Sequence, residues 1–150
     1  MIVNGWKLKA HRLFLEKYEK LIAAVERRAE DDPAGFADSP DWKLLDRLDR
    51  VIFERVPRDP AHADYVVSTL GRASWRRVKG GMPSRYRLFF QFRSDRRTVV
   101  YAWYNDENTL RKAGARTDVY VVFKALLKRG TVPSDFEELE RHAASLTGKH

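Results

Sequence analysis

Arg85-Tyr86-Arg87-Leu88-Phe89-Phe90-Gln91-Phe92-Arg93 is the stretch on which the architecture turns. In a β-strand, successive side chains point to opposite faces. Read as one strand, this stretch puts Arg85, Arg87, Phe89, Gln91 and Arg93 on one face and Tyr86, Leu88, Phe90 and Phe92 on the other. The second set reads as a core face. The first reads as a cationic face with an aromatic in it, and a polyanion is the natural partner for such a surface.

Upstream of it, Trp75 to Lys79 reads as a strand, and Gly80-Gly81-Met82-Pro83-Ser84 as a turn. Downstream, Ser94-Asp95-Arg96-Arg97 turns into a further strand, Thr98 to Tyr104, which makes an antiparallel meander. Further out, Trp6 to Ala10 alternates weakly as a first strand. Phe14, Tyr18, Leu21, Ile22 and Val25 then recur at helical spacing over about His11 to Glu30. Asp31-Asp32-Pro33-Ala34-Gly35 breaks that helix. Ser39 is an N-cap with Pro40 at the first helical position, and a second helix runs to about Val56, burying Leu44, Leu45, Leu48, Ile52 and Val56. Two successive amphipathic helices predict a helical hairpin. Pro57 to Ser74 shows no clear period, and a connection that long is usually functional or mobile. Thr117 or Asp118 opens a third helix with Val119, Tyr120, Phe123, Leu126 and Leu127 as its stripe. Gly130 and Pro133 stop it, and Ser134-Asp135-Phe136-Glu137 has the capping-box pattern that starts a last helix. The expected fold is α+β: an N-terminal helical hairpin packed on an antiparallel β-sheet with C-terminal helices, in one domain spanning 1–150.

Charge is concentrated where the meander lies. The formal net charge is +8. Arg72, Arg76, Arg77, Lys79, Arg85, Arg87 and Arg93 fall between Thr69 and Arg93 with no acidic residue among them. The rest of the chain holds 22 basic against 21 acidic residues. A single surface arginine is usually just solvated. Seven without a compensating acid point to an anion, and the planar guanidinium fork suits phosphate. The pI of about 9.9 fits a nucleic acid or an acidic protein partner.

Other chemistries find little support. There is no cysteine, so disulfides and thiolate metal sites are excluded, which fits a reducing cytoplasm. The opening residues lack the apolar run of a signal peptide. Runs such as Val99 to Tyr104 are too short to span a bilayer, so no membrane association is expected. Asn105-Asp106-Glu107-Asn108 reads as a turn and helix cap rather than a metal site, because two adjacent carboxylates without a histidine pair are a weak ligand set. Arg111 and Lys112, one turn further on, can rejoin the basic face. No two of His11, His62, His142 and His150 have metal-ligand spacing on one element. His11 and His62 are candidates for proton transfer only if the fold brings them to the basic patch. Gly80-Gly81 is a turn, not a phosphate loop of Walker type. No metal and no cofactor are expected.

Several ordered motifs resemble the YhaV family. They are Trp75-Arg76-Arg77-Val78-Lys79, Arg85-Tyr86-Arg87-Leu88-Phe89-Phe90, and Ala102-Trp103-Tyr104-Asn105-Asp106-Glu107-Asn108-Thr109-Leu110-Arg111. Thr117-Asp118-Val119-Tyr120, Val122-Phe123, Gly130 with Pro133, and the opening Asn4-Gly5-Trp6 and Ala10-His11 belong to the same likeness, which covers nearly the whole chain. Gln91 stands where the family often has a basic residue, and Met82-Pro83 lies in a turn usually free of proline. The resemblance implies a toxin of a type II toxin–antitoxin system with a RelE-like ribonuclease fold. It implies a cytoplasmic endoribonuclease that cleaves mRNA in a manner linked to translation and arrests growth. It also implies neutralisation by a PrlF-type antitoxin with a swapped-hairpin DNA-binding domain, and operator DNA binding through the toxin–antitoxin complex.

On that likeness, Lys79, Arg85 and Arg87 are the expected catalytic residues. The expected reaction is metal-independent: the 2′-OH attacks its own phosphate and leaves a cyclic phosphate and a 5′-OH, with preorganised cations stabilising the transition state. Arg72, Arg76, Arg77, Arg93, Arg111 and Lys112 would guide the RNA, and Phe89 would stack a base. The competing reading is a non-catalytic RNA- or DNA-binding module, which binds without yielding product.

Overall fold

The computed structural model describes residues 1–71 and 74–147. The chain opens with a short strand β1 (Ile2–Val3) and β2 (Trp6–His11), then α1 (Arg12–Asp31). His11 caps α1: its Nδ1 accepts from the Leu13 amide at 3.2 Å. Ser39 caps α2 (Pro40–Arg50) by accepting from the Trp42 amide, with Pro40 in the first turn as its fixed φ favours. The helix then widens into a π turn, Val51–Arg55, and closes with a last α turn, Val56–Arg58. Pro57 lacks the amide hydrogen an α-helix needs at that point, and the widened turn lies just before it.

The meander follows as β3 (Arg76–Val78), β4 (Leu88–Arg93) and β5 (Thr98–Tyr104). Two more helices, α3 (Val119–Lys128) and α4 (Phe136–Arg141), precede a short strand β6 (Ala143–Ser145). The sheet order is β1-β2-β5-β4-β3, with β6 on β2. The meander is antiparallel as expected. The sheet as a whole is mixed, because β2 lies parallel to β5, with Leu8 opposite Val99 and Ala10 opposite Tyr101. That pairing joins residues some ninety positions apart, which no local pattern encodes.

The expected α+β architecture holds, but the sheet is covered on both faces. On one face α1, α2 and the π turn pack Phe14, Tyr18, Leu45, Leu48 and Ile52 onto Leu8, Leu88, Phe90 and Tyr101. The Tyr101 hydroxyl is satisfied there by the Ile52 carbonyl at 2.8 Å. On the other face α3 and α4 bring Val119, Phe123, Phe136 and Leu139 onto Phe89, Val100 and Trp103. Phe123 stacks on Phe89 at 4.1 Å between centroids and lies parallel to Trp103 at 5.7 Å. Strands covered on both faces read as continuous apolar runs, which is why all seven residues of β5 are buried.

This two-sided packing overturns the expected exposed face of β4. Phe89 is fully buried in the second core and cannot stack a base. Gln91 is buried as well, and its Nε2 donates to the Ser134 carbonyl at 2.7 Å. The strand begins only at Leu88, and Arg85 lies outside it at φ 71, so Arg85 and Arg87 do not share a strand face. A register shift sits between Phe89 and Phe90, which pair with Trp103 and Tyr101. Ala102 is the extra residue on β5, a β-bulge that turns the strand beside the groove described next.

Candidate functional site

A groove of about 490 Å³ lies where the end of β3, the start of β4 and the first turns of α3 meet the 66–69 segment. Five cations line it: Arg77, Lys79, Arg87, Arg111 and Lys124. Asp118 is the one carboxylate in that lining, and Tyr120 supplies an aromatic ring.

Strand geometry explains the first two. Arg77 pairs with Phe89 across the β3–β4 ladder, so it stands on the same face as the second core. Lys79, two residues on, is exposed and lines the groove. Arg76 pairs with Phe90 and lies against the Phe92 ring, 5.6 Å from its centroid, on the hairpin face. The expected cluster of Arg76 and Arg77 is therefore split between the two sides of the sheet.

Arg87 is held from behind by Asn105. The Asn105 Oδ1 accepts from the Arg87 amide at 2.8 Å, while its Nδ2 donates to the carbonyls of Arg85 and Thr109. Asn105 is fully buried, so all its polar atoms depend on these bonds. The Arg85 carbonyl also accepts from the Arg111 amide at 2.9 Å. One buried amide thus clips the turn before β4 to the 105–111 loop and sets Arg87 and Arg111 side by side. Asp106 behaves as the turn residue expected, accepting from the Asn108 amide at 2.9 Å.

Asp118 does the same for the helix wall. It caps α3 by accepting from the Tyr120 amide, and it accepts from Arg111 Nη1 at 2.8 Å and from the Lys112 amide at 2.6 Å. Burial disfavours its charge, but the bonds from Arg111, Lys112 and Tyr120 outweigh this and hold its pKa below the usual carboxylate range. The Arg111 guanidinium lies 5.2 Å from the centre of the Tyr120 ring.

The remaining cations are less committed. Among the described residues, Arg77, Lys79, Arg87 and Lys124 have no ion-pair partner. Among the described residues the Arg87 side chain bonds only the Tyr86 carbonyl and the Arg77 side chain only the Val66 carbonyl, and the Nε of each is unpartnered. Four like charges held together, none of them paired with an acid, make a strongly anion-seeking surface.

The other expected site residues lie elsewhere. Arg93, at the far end of β4, makes a two-pronged pair with Asp95 at 3.0 and 2.7 Å. Arg85 is exposed and Lys112 is exposed, and neither lines the groove. Arg72 lies outside the described residues. His11 is buried as the cap of α1, and His62 lines a recess with Arg55 and Tyr65 rather than the groove. Among the described residues, no group of three or more His, Asp or Glu side chains could hold a metal. No helix of the described residues is long and apolar enough to cross a membrane.

The groove also holds residues that the sequence reading did not single out. Lys124 sits four residues after Tyr120 on α3, a spacing that puts both on one side of the helix. Tyr120 had the look of a core residue, yet it is only partly buried and supplies the aromatic expected of Phe89. Val66 and Val121 are half-exposed, at 50 and 48 %, and both line the groove.

A family model described as "Toxin with endonuclease activity, of toxin-antitoxin system" matches residues 8–144. The "Ribonuclease toxin YhaV" of Escherichia coli strain K12 is 42 % identical over 144 residues, covering 93 % of this chain and 92 % of that protein. "Toxin YhaV" of Escherichia coli O6:H1 is 42 % identical over 142 residues, covering 91 % of each. No solved structure gives a significant match. With the family match running from β2 into β6 and so spanning the whole groove, the chain belongs to the YhaV family of toxin–antitoxin toxins.

Proposed function

We propose that the groove between the β3–β4 end of the sheet and α3 is the active site of an endoribonuclease toxin of the RelE-like type. The observation that carries this reading is the set of four uncompensated cations beside a partly exposed tyrosine, in a chain whose family is described by endonuclease activity. A relative covering nearly the same length is named a ribonuclease.

The chemistry follows from charge. The RNA 2′-OH attacks the adjacent phosphorus, the P–O5′ bond breaks, and a 2′,3′-cyclic phosphate and a protonated 5′-oxygen result. The pentacovalent transition state carries more negative charge than the starting diester. Donors already in place stabilise it more than they stabilise the substrate, and each is worth on the order of 100- to 1000-fold in rate. Arg87 and Lys79 are the donors nearest the centre of this reading, with Arg111 held in register by Asp118. Arg77 and Lys124 guide the strand, and the Tyr120 ring takes a base by stacking. Arg85 contributes chiefly through its carbonyl, which holds Asn105 and Arg111. Because the groove supplies the compensating charge, cleavage requires no metal.

The same surface explains the need for an antitoxin. A PrlF-type partner would cover the cations with acidic side chains and seat apolar ones on Val66 and Val121. Charge complementarity would speed the encounter and make it salt-sensitive. Through the antitoxin's DNA-binding domain the complex would bind operator DNA and regulate transcription. Action on mRNA during translation would put the toxin in the cytoplasm.

The test is to incubate the purified protein with bare RNA and with translating ribosomes and to identify the ends. Cyclic phosphate and 5′-OH ends support the reading. Binding without product at high protein concentration, on both substrates, supports a non-catalytic nucleic-acid-binding module instead.

A further inference from the structure

The groove does not end at Lys79. A second recess, of about 220 Å³, opens on the other side of Arg77 and Lys79 and is completed by Arg55, Asp64, Tyr65 and Gly80. Arg77 and Lys79 therefore form a shared wall between the two. The recess has three cations against one carboxylate, and Asp64 is turned to His62, 3.6 Å from its Nδ1.

Arg55 is the residue specific to this recess. It is the last residue of the π turn in the second helix of the hairpin, so it reaches the sheet edge from a different element than every cation in the main groove. Its Nη1 donates to the Gly80 carbonyl, and no acid among the described residues pairs with it. A methyl group on Gly81 would collide with Arg55 Nη1, and one on Gly80 would come within 3.4 Å of its Nη2. The Gly80-Gly81 turn thus leaves the space in which the guanidinium lies. Gly81, at φ 88, also takes a backbone conformation that other residues avoid.

We propose that Arg55, with Arg77 and Lys79, forms a second phosphate subsite, so that one RNA strand runs from the main groove over Lys79 and places a neighbouring backbone phosphate on Arg55. The inference rests on the groove binding RNA. It adds that recognition extends beyond the cleavage site onto the helical hairpin. A guanidinium already fixed to a carbonyl by one nitrogen still has donors for a phosphate and loses little freedom on binding.

The test uses 2′-O-methyl RNA, which lacks the attacking hydroxyl, as a dinucleotide and as an oligomer of about ten nucleotides. Arg55→Gln keeps a donor for Gly80 and removes the charge, and Arg55→Lys keeps the charge. For the longer RNA, Arg55→Gln should weaken binding by roughly tenfold. The slope of log affinity against log salt should flatten by about 0.7, the value for one phosphate on a single strand. Arg55→Lys should keep the wild-type slope, and the dinucleotide should be much less affected by either change. Unchanged affinity and slope for the longer RNA in Arg55→Gln overturn the subsite. An equal loss for both RNAs also overturns it, since Arg55 would then act through the fold. Failure of the wild-type protein to bind either RNA removes the groove reading itself.

Discussion

Arg87 and Arg93 bracket the same strand, and the periodicity of the sequence assigns them to one face. At about 3.3 Å per residue they stand roughly 20 Å apart. Arg93 meets Asp95 and is locked in a two-pronged ion pair at the sheet's far end. Arg87 meets no acid, is anchored through its backbone by Asn105, and opens onto a groove with four other cations. Between them Phe89 and Gln91 are sealed under α3 and α4. The cationic face is thus not a stripe along a strand. It is a cluster at one strand end, assembled from four stretches of chain. Residue type sets what a side chain can bind, but the neighbours decide whether it is free to do so.

The middle of β4 offers the largest effect. Phe89 stacks on Phe123 and Trp103 with no exposure, so Phe89→Ala should destabilise the fold by about 3–5 kcal/mol. A chemical-denaturation curve measures this. A loss confined to RNA binding, with stability intact, would return Phe89 to the surface.

Next comes the clip behind Arg87. Asn105→Ala takes the Asn105 side chain from the Arg87 amide and the Thr109 carbonyl and leaves the Arg85 carbonyl with the Arg111 amide alone. It should cost about 1–3 kcal/mol of stability. It should also lower cleavage while the groove cations themselves remain. Wild-type activity in a folded Asn105→Ala protein would show that Arg87 needs no such support.

A smaller effect is expected at Arg85. At φ 71 it sits where glycine is at ease, so Arg85→Gly should fold with stability changed by about 1 kcal/mol or less. Cleavage should stay within about threefold, well short of the loss expected for a transition-state donor. A hundredfold drop would place the guanidinium itself in the site.

The smallest effect concerns pH. Burial, then the charge of Arg12 and His142, lowers the His11 pKa from its ordinary 6.5, with Glu16 opposing. The unfolded chain therefore binds the proton more readily than the folded one. The stability this provides is complete above 6.5 and declines as pH falls through that value towards the lower folded pKa. His11→Asn keeps an acceptor for the Leu13 amide and should flatten this decline. Unfolding midpoints from about pH 7.5 to pH 5 test it, and identical slopes for the two proteins would contradict it.

Much of the framework was legible because its signals are local. The Ser39–Pro40 cap, the Asp118 start of α3, the stop at Gly130 and the span Thr98–Tyr104 all appear as the sequence suggests. The reading of β4 went astray because alternation identifies a face only when one side of the sheet is wet. The adjacent Leu88-Phe89-Phe90 run, like the unbroken apolar β5, was the sign of two-sided burial. The parallel β2–β5 pairing and the late strand β6 depend on contacts between the two ends of the chain. The groove was half legible: Arg77, Lys79, Arg87 and Arg111 were in the expected set, while Tyr120 and Lys124 had been absorbed into, or passed over beside, a helical stripe. Their four-residue spacing was visible, but only the packing of α3 against the sheet shows which way it faces.

The proposed function requires that the uncompensated end of β4, and not the paired end, cleave RNA. Arg87→Ala and Arg93→Ala should be compared with the wild-type protein on the same RNA in the presence of EDTA, with folding checked and the ends identified. Wild type and Arg93→Ala should cleave to cyclic phosphate ends at rates within about twofold of each other. Arg87→Ala should be slower by on the order of 100- to 1000-fold. Cleavage by folded Arg87→Ala at the wild-type rate, or wild-type activity lost in EDTA and restored by magnesium, would contradict it.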